Sequence, residues 1–120
     1  MVEERSHLAI TDSGGVKVVE FADRKFLEEL CISEIGEELS KLVAGAPEIR
    51  LLLSFKNVEH LSSAALGMLI TLNKQVSEQR GKMKLSDITP QIYEVFKITR
   101  LNKLFDIYDT AEQALSSFDD

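Results

Sequence analysis

The chain has 120 residues, of which 44% are hydrophobic and 28% are charged, and its formal net charge is −6. These values are typical of one globular domain and exclude a disordered, collagen-like or disulfide-rich chain, and they leave no room for a second catalytic domain. The negative net charge argues against nucleic-acid binding, and no apolar run is long enough to span a bilayer, so we expect neither nucleic-acid nor membrane partners. The single cysteine is compatible with a reducing compartment, and we therefore expect a cytoplasmic protein.

The first half of the chain predicts a β-hairpin, a helix and a buried strand. Two apolar runs flank "DSGG", where Gly14 and Gly15 tolerate the positive φ of a tight turn. The segment 23–30, "DRKFLEEL", predicts a short helical turn or a packed loop. A helix is then expected from Ser33, which can cap it, to "GAP" at 45–47. Its inward face at helical spacing comprises Ile32, Ile35, Leu39, Leu42 and Val43.

The segment 49–55, "IRLLLSF", is nearly continuous in apolar residues, which is typical of a parallel strand buried on both faces. A second helix is predicted after "SS" at 62–63, running to about Gln79, with Gly81 as its stop signal. The segment 82–88, "KMKLSDI", alternates as a strand does. Strands and helices therefore alternate along this part of the chain, which indicates a parallel sheet.

The last quarter of the chain predicts a helix, a short strand and a terminal helix. Thr89 followed by Pro90 is an N-cap with proline at the first helical position, and Ile92, Val95 and Phe96 would face inward. A short strand is expected in "LFDIYD" (104–109). Thr110 with Gln113 forms a capping box that opens the terminal helix, whose inward residues would be Ala111, Ala114 and Leu115.

These elements predict an α/β fold in one domain over residues 1–120. The expected order is β-β-α-β-α-β-α-β-α, with a mixed, mostly parallel sheet, an N-terminal hairpin and about four covering helices.

Few residues are suited to catalysis. His60 precedes Ser62 and Ser63, but a nucleophilic site also needs an orienting carboxylate and an oxyanion hole, and the glycine-flanked nucleophile elbow is missing. No cluster has metal-ligand spacing, and no glycine-rich phosphate loop is present. We therefore expect no catalytic residue, metal site or cofactor. A small-molecule binder or minor hydrolase that uses His60 with the two serines is the enzymatic alternative.

The two serines have a structural and a functional interpretation. A serine hydroxyl can accept a hydrogen bond from the first helical turn, and one serine suffices for that role. Behind them, one helical stripe is expected to bind the sheet and comprises Leu66, Leu69, Ile70, Asn73 and Val76. A second stripe, rotated from the first around the helix, comprises Ala65, Met68, Leu72 and Gln75. These residues either belong to the hydrophobic core or form an exposed docking surface. A phosphate on a serine here would meet the positive end of the helix dipole.

The sequence resembles a STAS domain, the sulfate transporter and anti-sigma factor antagonist module, in its small stand-alone bacterial form. The resemblance covers nearly the whole chain, and its most specific part is a strand, a loop and a serine motif that opens a helix. Here "SSAAL", 62–66, takes the place of that motif. Ser63 matches the serine that is phosphorylated in the family, whereas Ser62 stands where aspartate is common and Ala65 where glycine is common.

This resemblance implies a partner-switching regulator of transcription with no catalysis of its own. Unphosphorylated, it would bind an anti-sigma factor that is also a serine kinase with a histidine-kinase-like fold. Phosphorylation on Ser63 would release that partner, and a serine phosphatase would reset the switch. The expected docking residues are Ser62, Ser63, Ala65, Met68 and Leu72. The alternative is a STAS-type interaction or scaffold module that is not phosphorylated.

Overall fold

The computed structural model describes residues 8–21, 29–56, 58 and 61–118. It contains a five-stranded sheet, four α-helices and a 3₁₀ turn over Leu101–Lys103. In chain order the elements are β1 (Leu8–Ser13), β2 (Val16–Phe21), α1 (Glu29–Ala44), β3 (Arg50–Ser54), α2 (Ser63–Glu78), β4 (Lys82–Ser86), α3 (Pro90–Ile98), β5 (Asp106–Tyr108) and α4 (Ala111–Ser117). The predicted α/β class and the order of elements are confirmed.

The sheet is mixed and mostly parallel, as predicted. Its strand order is β1-β2-β3-β4-β5, in which β1 is antiparallel to β2 and every other pair is parallel. Gly14 and Gly15, with φ of 58° and 88°, form the hairpin turn. Lys17 donates a hydrogen bond to the Asp12 carboxylate over 2.8 Å, and the Gly15 N–H donates another, so the pKa of this exposed carboxyl lies below its ordinary value.

The core lies on both faces of the sheet. Helices α1, α2 and α3 cover one face, where buried side chains of the strands and helices form the larger cluster. Helix α4 covers part of the other face, above Val16, Val18 and Leu52. On that face the Lys84 ammonium donates to the Ser117 hydroxyl over 2.7 Å and lies 4.7 Å from the centre of the Phe118 ring. The lysine thereby holds the short terminal helix against the sheet.

Helix α1 begins earlier than the sequence indicated. It starts at Glu29, so Ser33 lies inside the helix as an exposed residue and the prediction that Ser33 caps it is wrong. The residues before Ser33 include neither glycine nor proline, and nothing in them stops the helix from extending. The predicted inward residues Ile35, Leu39 and Val43 are buried and Leu42 is half-buried. The side chain of Ile32 and residues 22–28, which hold most of the predicted turn or loop, lie outside the described part.

The end of α2 also differs in detail from the prediction. Gly81 does not have the positive φ of a helix stop; Arg80 has it, with φ of 63°. The Gly81 N–H donates to the Val76 carbonyl and the Arg80 N–H donates to the Ser77 carbonyl, which is the Schellman pattern. Gly81 is needed for another reason, since a Cβ atom there would lie 2.6 Å from the Ile49 carbonyl oxygen. The glycine lets the chain enter β4 beside β3.

The remaining predicted caps are confirmed. The Thr89 hydroxyl accepts from the Ile92 N–H at 3.2 Å and opens α3, and the Thr110 hydroxyl accepts from the Gln113 N–H at 3.1 Å and opens α4. The inward residues Ile92, Phe96 and Ala114 are buried, and Val95, Ala111 and Leu115 are half-buried. The last strand is shorter than expected and covers only Asp106–Tyr108.

The contact between Gly81 and Ile49 gives a stability test. Gly81→Ala should lower the free energy of unfolding by about 1–3 kcal/mol, because the added methyl meets a backbone carbonyl that cannot move aside. The matched control is Gly67→Ala in the middle of α2, where nothing lies within 4 Å of an added Cβ. That control should stabilise the fold by about 0.5–1 kcal/mol. Urea denaturation midpoints at equal m-values measure both changes, and equal effects would contradict the assignment.

Candidate functional site

The central strand of the sheet leads to the candidate site. β3 lies between two parallel neighbours, and its residues from Leu51 to Ser54 are buried. Helix α2 begins at Ser63, nine residues after the strand ends at Ser54. In a parallel sheet the crossovers leave from the carboxyl ends of the strands, where ligands and partners of such folds commonly bind. The start of α2 therefore follows, in the chain, a central strand that is buried from Leu51 to Ser54.

The two serines at the start of α2 have different environments. Ser62 is the N-cap: its backbone is extended, with φ of −82° and ψ of 166°, and its half-buried hydroxyl accepts from the Ala65 N–H at 3.1 Å. Its carbonyl accepts the first helical hydrogen bond, from the Leu66 N–H. Ser63 is the first helical residue and is exposed. Capping therefore accounts for Ser62 and leaves the Ser63 hydroxyl at the surface.

The first turn of α2 contains no acidic residue. The N–H groups at the start of a helix carry a partial positive charge, which a negative group stabilises. No carboxylate of the first turn occupies that position here. The helix start is therefore electrostatically suited to an added negative group on Ser63.

The predicted division of α2 into two stripes is partly wrong. The buried face comprises Ala65, Leu69, Leu72 and Val76, which combines members of both stripes. Ile70, which was assigned to the sheet, is 40% exposed. The reason is that α2 packs against α1 as well as against the sheet, so its buried face is rotated toward α1. Ala65 is fully buried and Leu72 is 3% exposed, so of the predicted docking residues Ser62, Ser63 and Met68 retain accessible surface.

A groove of about 420 Å³ runs between α1 and α2, and we refer to it as the α1–α2 groove. It begins at Ala64, directly after Ser63, and Met68 and Leu72 line its apolar part. Small residues on both helices open it, namely Ser33, Gly36, Ser40, Gly67 and Thr71. At Gly36 an added Cβ would lie 3.2 Å from the Met68 Cγ, so the helices are in close contact there.

Two hydrogen bonds hold the helices together at the far part of the α1–α2 groove. The Ser40 hydroxyl donates to Gln75 Oε1 over 2.9 Å, and Gln75 Nε2 donates to the Ser40 carbonyl over 3.2 Å. The two bonds use both the oxygen and the nitrogen of the Gln75 side-chain amide. The spacing between the helices, and with it the width of the groove, is thereby restrained.

A polar cluster that was not predicted from the sequence lies where β3 and β4 end. Ser54 and Ser86 are a register pair, and both hydroxyls donate to Asp87 Oδ2, over 3.3 and 2.8 Å. Both serines are buried, and Asp87 has a positive φ of 59°. A serine at the last position of each of these two strands is the feature of the sequence that could have indicated the cluster. The cluster ties the carboxyl ends of β3 and β4 together.

The enzymatic alternative gains no support from the described residues. His60 of that alternative lies outside the described part of the chain. Within the described part, no group of three histidine, cysteine, aspartate or glutamate side chains could hold a metal ion. None of the described helices is long and apolar enough to cross a membrane.

Comparison with known proteins identifies one family. The sequence model of the STAS domain matches residues 31–114. The chain is 28% identical over 69 residues to the anti-sigma F factor antagonist of Paenibacillus polymyxa, which covers 58% of this chain and 59% of that protein. It is 30% identical over 78 residues to the anti-sigma-B factor antagonist of Bacillus subtilis, which covers 65% of this chain and 70% of the relative. The match thus spans about three fifths of the first relative.

The fold is similar to that of solved structures over nearly the whole chain. An anti-sigma-factor antagonist (STAS) domain protein from Planctomyces limnophilus superposes with a TM-score of 0.85, at 22% identity, covering 94% of this chain and 98% of that one. This likeness confirms the fold predicted from the sequence resemblance.

The cap geometry predicts unequal effects for the two serines. Ser62→Ala removes the acceptor for the Ala65 N–H and should lower the free energy of unfolding by about 1 kcal/mol. Ser63→Ala should change it by less than about 0.5 kcal/mol, because the side chain is exposed. Urea denaturation of the two variants measures the difference. A larger loss for Ser63→Ala than for Ser62→Ala would mean that the cap is assigned to the wrong residue.

Proposed function

The chain belongs to the STAS domain family, and we propose that it acts as an anti-sigma factor antagonist that is controlled by phosphorylation of Ser63. Unphosphorylated, it binds an anti-sigma factor that is also a serine kinase; phosphorylated, it releases that partner; a serine phosphatase restores the binding form. ATP belongs to the kinase in this scheme, and this chain acts as binder and substrate. The names of two relatives, both anti-sigma factor antagonists, support the general function.

The exposed position of Ser63 is the observation that carries the proposal. A kinase must reach the hydroxyl that it modifies, and Ser63 is exposed at the first position of α2 while Ser62 provides the cap. The phosphate can therefore be added without breaking the bond between Ser62 and the Ala65 N–H. The fold then remains intact in both states of the switch.

The helix terminus also favours the modified state electrostatically. A phosphoserine carries about −1.5 to −2 charges at pH 7, and these charges are stabilised by the partial positive charge of a helix N-terminus. The first turn of α2 holds no acidic residue that would repel them. The same charges would lie next to Ala64, where the α1–α2 groove begins. A partner that covers this apolar surface would have to desolvate the phosphate, and this cost weakens its binding.

We infer that the docking surface includes Ser63, Met68 and the open part of the α1–α2 groove. Met68 is half-buried and its flexible thioether can adapt to a partner side chain. Leu72 contributes to the lining of the groove, whereas Ala65 is fully buried and supports the helix from below. Ser62 contributes through the cap that orients Ser63.

The first experiment tests the modification. After incubation with lysate of the source cells and ATP, the chain should gain about 80 Da. The gain should be kept in Ser62→Ala and lost in Ser63→Ala, because only Ser63 presents a free hydroxyl at the helix start. Intact mass and peptide mapping locate the phosphate. If no phosphate is found under conditions in which a partner still binds, the chain would be a STAS-type interaction module that is not phosphorylated. Ser62, which stands where aspartate is common in the family, is the residue that supports this alternative.

Partner retention is the second readout of this switch. Immobilised unmodified chain should retain a protein kinase of the source cells, and Ser63→Asp should retain at least about tenfold less of it, because the added charge opposes docking. Ser63→Asn is the matched uncharged control and should retain the partner as the unmodified chain does. Equal retention by the Asp and Asn variants would contradict a charge-controlled switch.

The α1–α2 groove gives an independent test of the docking surface. Gly67→Leu places a side chain in open space and should reduce partner retention at least about tenfold without lowering the urea midpoint. Gly67→Ala, whose single methyl fills little of the groove, is the matched control and should retain the partner. Unchanged retention by Gly67→Leu would exclude the groove from the interface while leaving the phosphorylation proposal intact.

A further inference from the structure

In the described part of the chain, β1 is an edge strand whose outer side pairs with no other strand. Residues 9–13 of β1 are exposed, and Ile10, at 43%, is one of the largest exposed apolar side chains in the described part of the chain. Natural sheets protect their edges with proline, charged side chains, a bulge or a very short strand. The six residues of β1 contain no proline and one charged residue, Asp12, whose carboxylate is paired with Lys17 of β2. The register of β1 with β2 is regular throughout. The opposite edge, β5, has only three residues.

The hairpin geometry identifies the backbone groups that point outward. A two-residue turn with both glycines at positive φ closes on a residue pair that exchanges two hydrogen bonds, here Ser13 and Val16. Bonded and non-bonded pairs then alternate along the ladder, so Thr11 and Ala9 also bond to β2. The N–H and C=O groups of Leu8, Ile10 and Asp12 consequently point away from β2, toward the outer edge.

We propose that the outer edge of β1 pairs with β1 of a second copy of this chain, antiparallel, about a two-fold axis at Ile10. This register opposes Ile10 to its own symmetry mate and Leu8 to Asp12 of the other copy. It uses all three outward-pointing residues on each strand and forms about six backbone hydrogen bonds. If the axis lay at Ala9 or at Thr11 instead, only two of these three residues on each strand would oppose one another, and fewer backbone hydrogen bonds would form.

A second copy fits this edge better than the other strand edge of the same molecule does. Pairing of β1 with β5 of a neighbour would bury at most three residues of β5 and would leave further edges open. The antiparallel β1 pair is closed by its two-fold symmetry, as most soluble homo-oligomers are. Two isoleucines meet at the axis of this pair, and no like charges are opposed because Asp12 does not oppose its own symmetry mate.

Proline substitution tests the proposal at the backbone. Ile10→Pro removes an outward N–H and no bond to β2, and proline is tolerated on edge strands at such positions. In sedimentation measurements from about 1 µM to about 1 mM, the unmodified chain should show concentration-dependent dimerisation, and Ile10→Pro should weaken it at least about tenfold. Ile10→Val keeps a β-branched apolar side chain and its N–H, and should dimerise as the unmodified chain does.

A charge variant covers the case in which the proline disturbs the hairpin. Ile10→Lys places two like charges opposite each other at the axis and should also weaken the dimer at least about tenfold. Its urea midpoint should remain close to that of the unmodified chain, because the side chain is already exposed. A chain that stays monomeric over the whole concentration range, or a dimer that both variants leave unchanged, would overturn the proposal.

Cysteine crosslinking tests the register. In a Cys31→Ser background, which removes the single cysteine, Ile10→Cys places two thiols on directly opposed residues with Cα atoms about 5.5 Å apart, within disulfide range. Ala9→Cys is the matched control, because Ala9 opposes Thr11 of the other copy and its own mate lies about 7–8 Å away along the diagonal. Mild oxidation should crosslink Ile10→Cys at least about tenfold faster. Equal rates would contradict an axis at Ile10.

Discussion

The burial of β3 on both faces is the constraint on which the rest of the structure depends. Leu51 and Leu53 face the cluster beneath α1, α2 and α3, and Leu52 faces the cluster beneath α4. A strand with apolar residues on both faces is stable only between two neighbours and beneath helices on both sides. The parallel pairs with β2 and β4 follow from this, since their connections must cross over the sheet as helices. The chain leaves β3 at the middle of the carboxyl edge and then enters α2 at Ser63.

The two hydroxyls at this helix start perform separable tasks. The cap by Ser62 satisfies one of the N–H groups that a helix start leaves unpaired, and this bond does not involve Ser63. A covalent change at Ser63 consequently changes the charge of the surface and leaves the cap in place. This separation is the physical requirement for a switch that acts on a partner without refolding. At the carboxyl ends of β3 and β4, the bonds from Ser54 and Ser86 to Asp87 keep the two strands in register.

Features controlled by local chemistry could be predicted from the sequence, and features controlled by packing between elements could not. Paired glycines, proline at the first helical position and threonine caps act within a few residues, and the hairpin, α3 and α4 were found from them. The buried face of α2 depends on contact with α1, which is far away along the chain, so hydrophobicity alone placed Ile70 inside and left Ala65 undecided. Similarly, Gly81 is explained by the approach of Ile49 rather than by the end of a helix.

The proposed switch and the proposed pairing edge are structurally independent. The sheet order places β2 between β1 and β3, so the outer edge of β1 lies two strands, about 10 Å, from the strand that leads to Ser63. Pairing at that edge extends the sheet in its own plane and uses backbone groups of β1 only. The α1–α2 groove and the start of α2 are formed entirely by other elements. A charge added to Ser63 therefore acts on a docked partner through desolvation close to the helix start, and in the described part of the chain neither that helix start nor the α1–α2 groove includes a residue of β1.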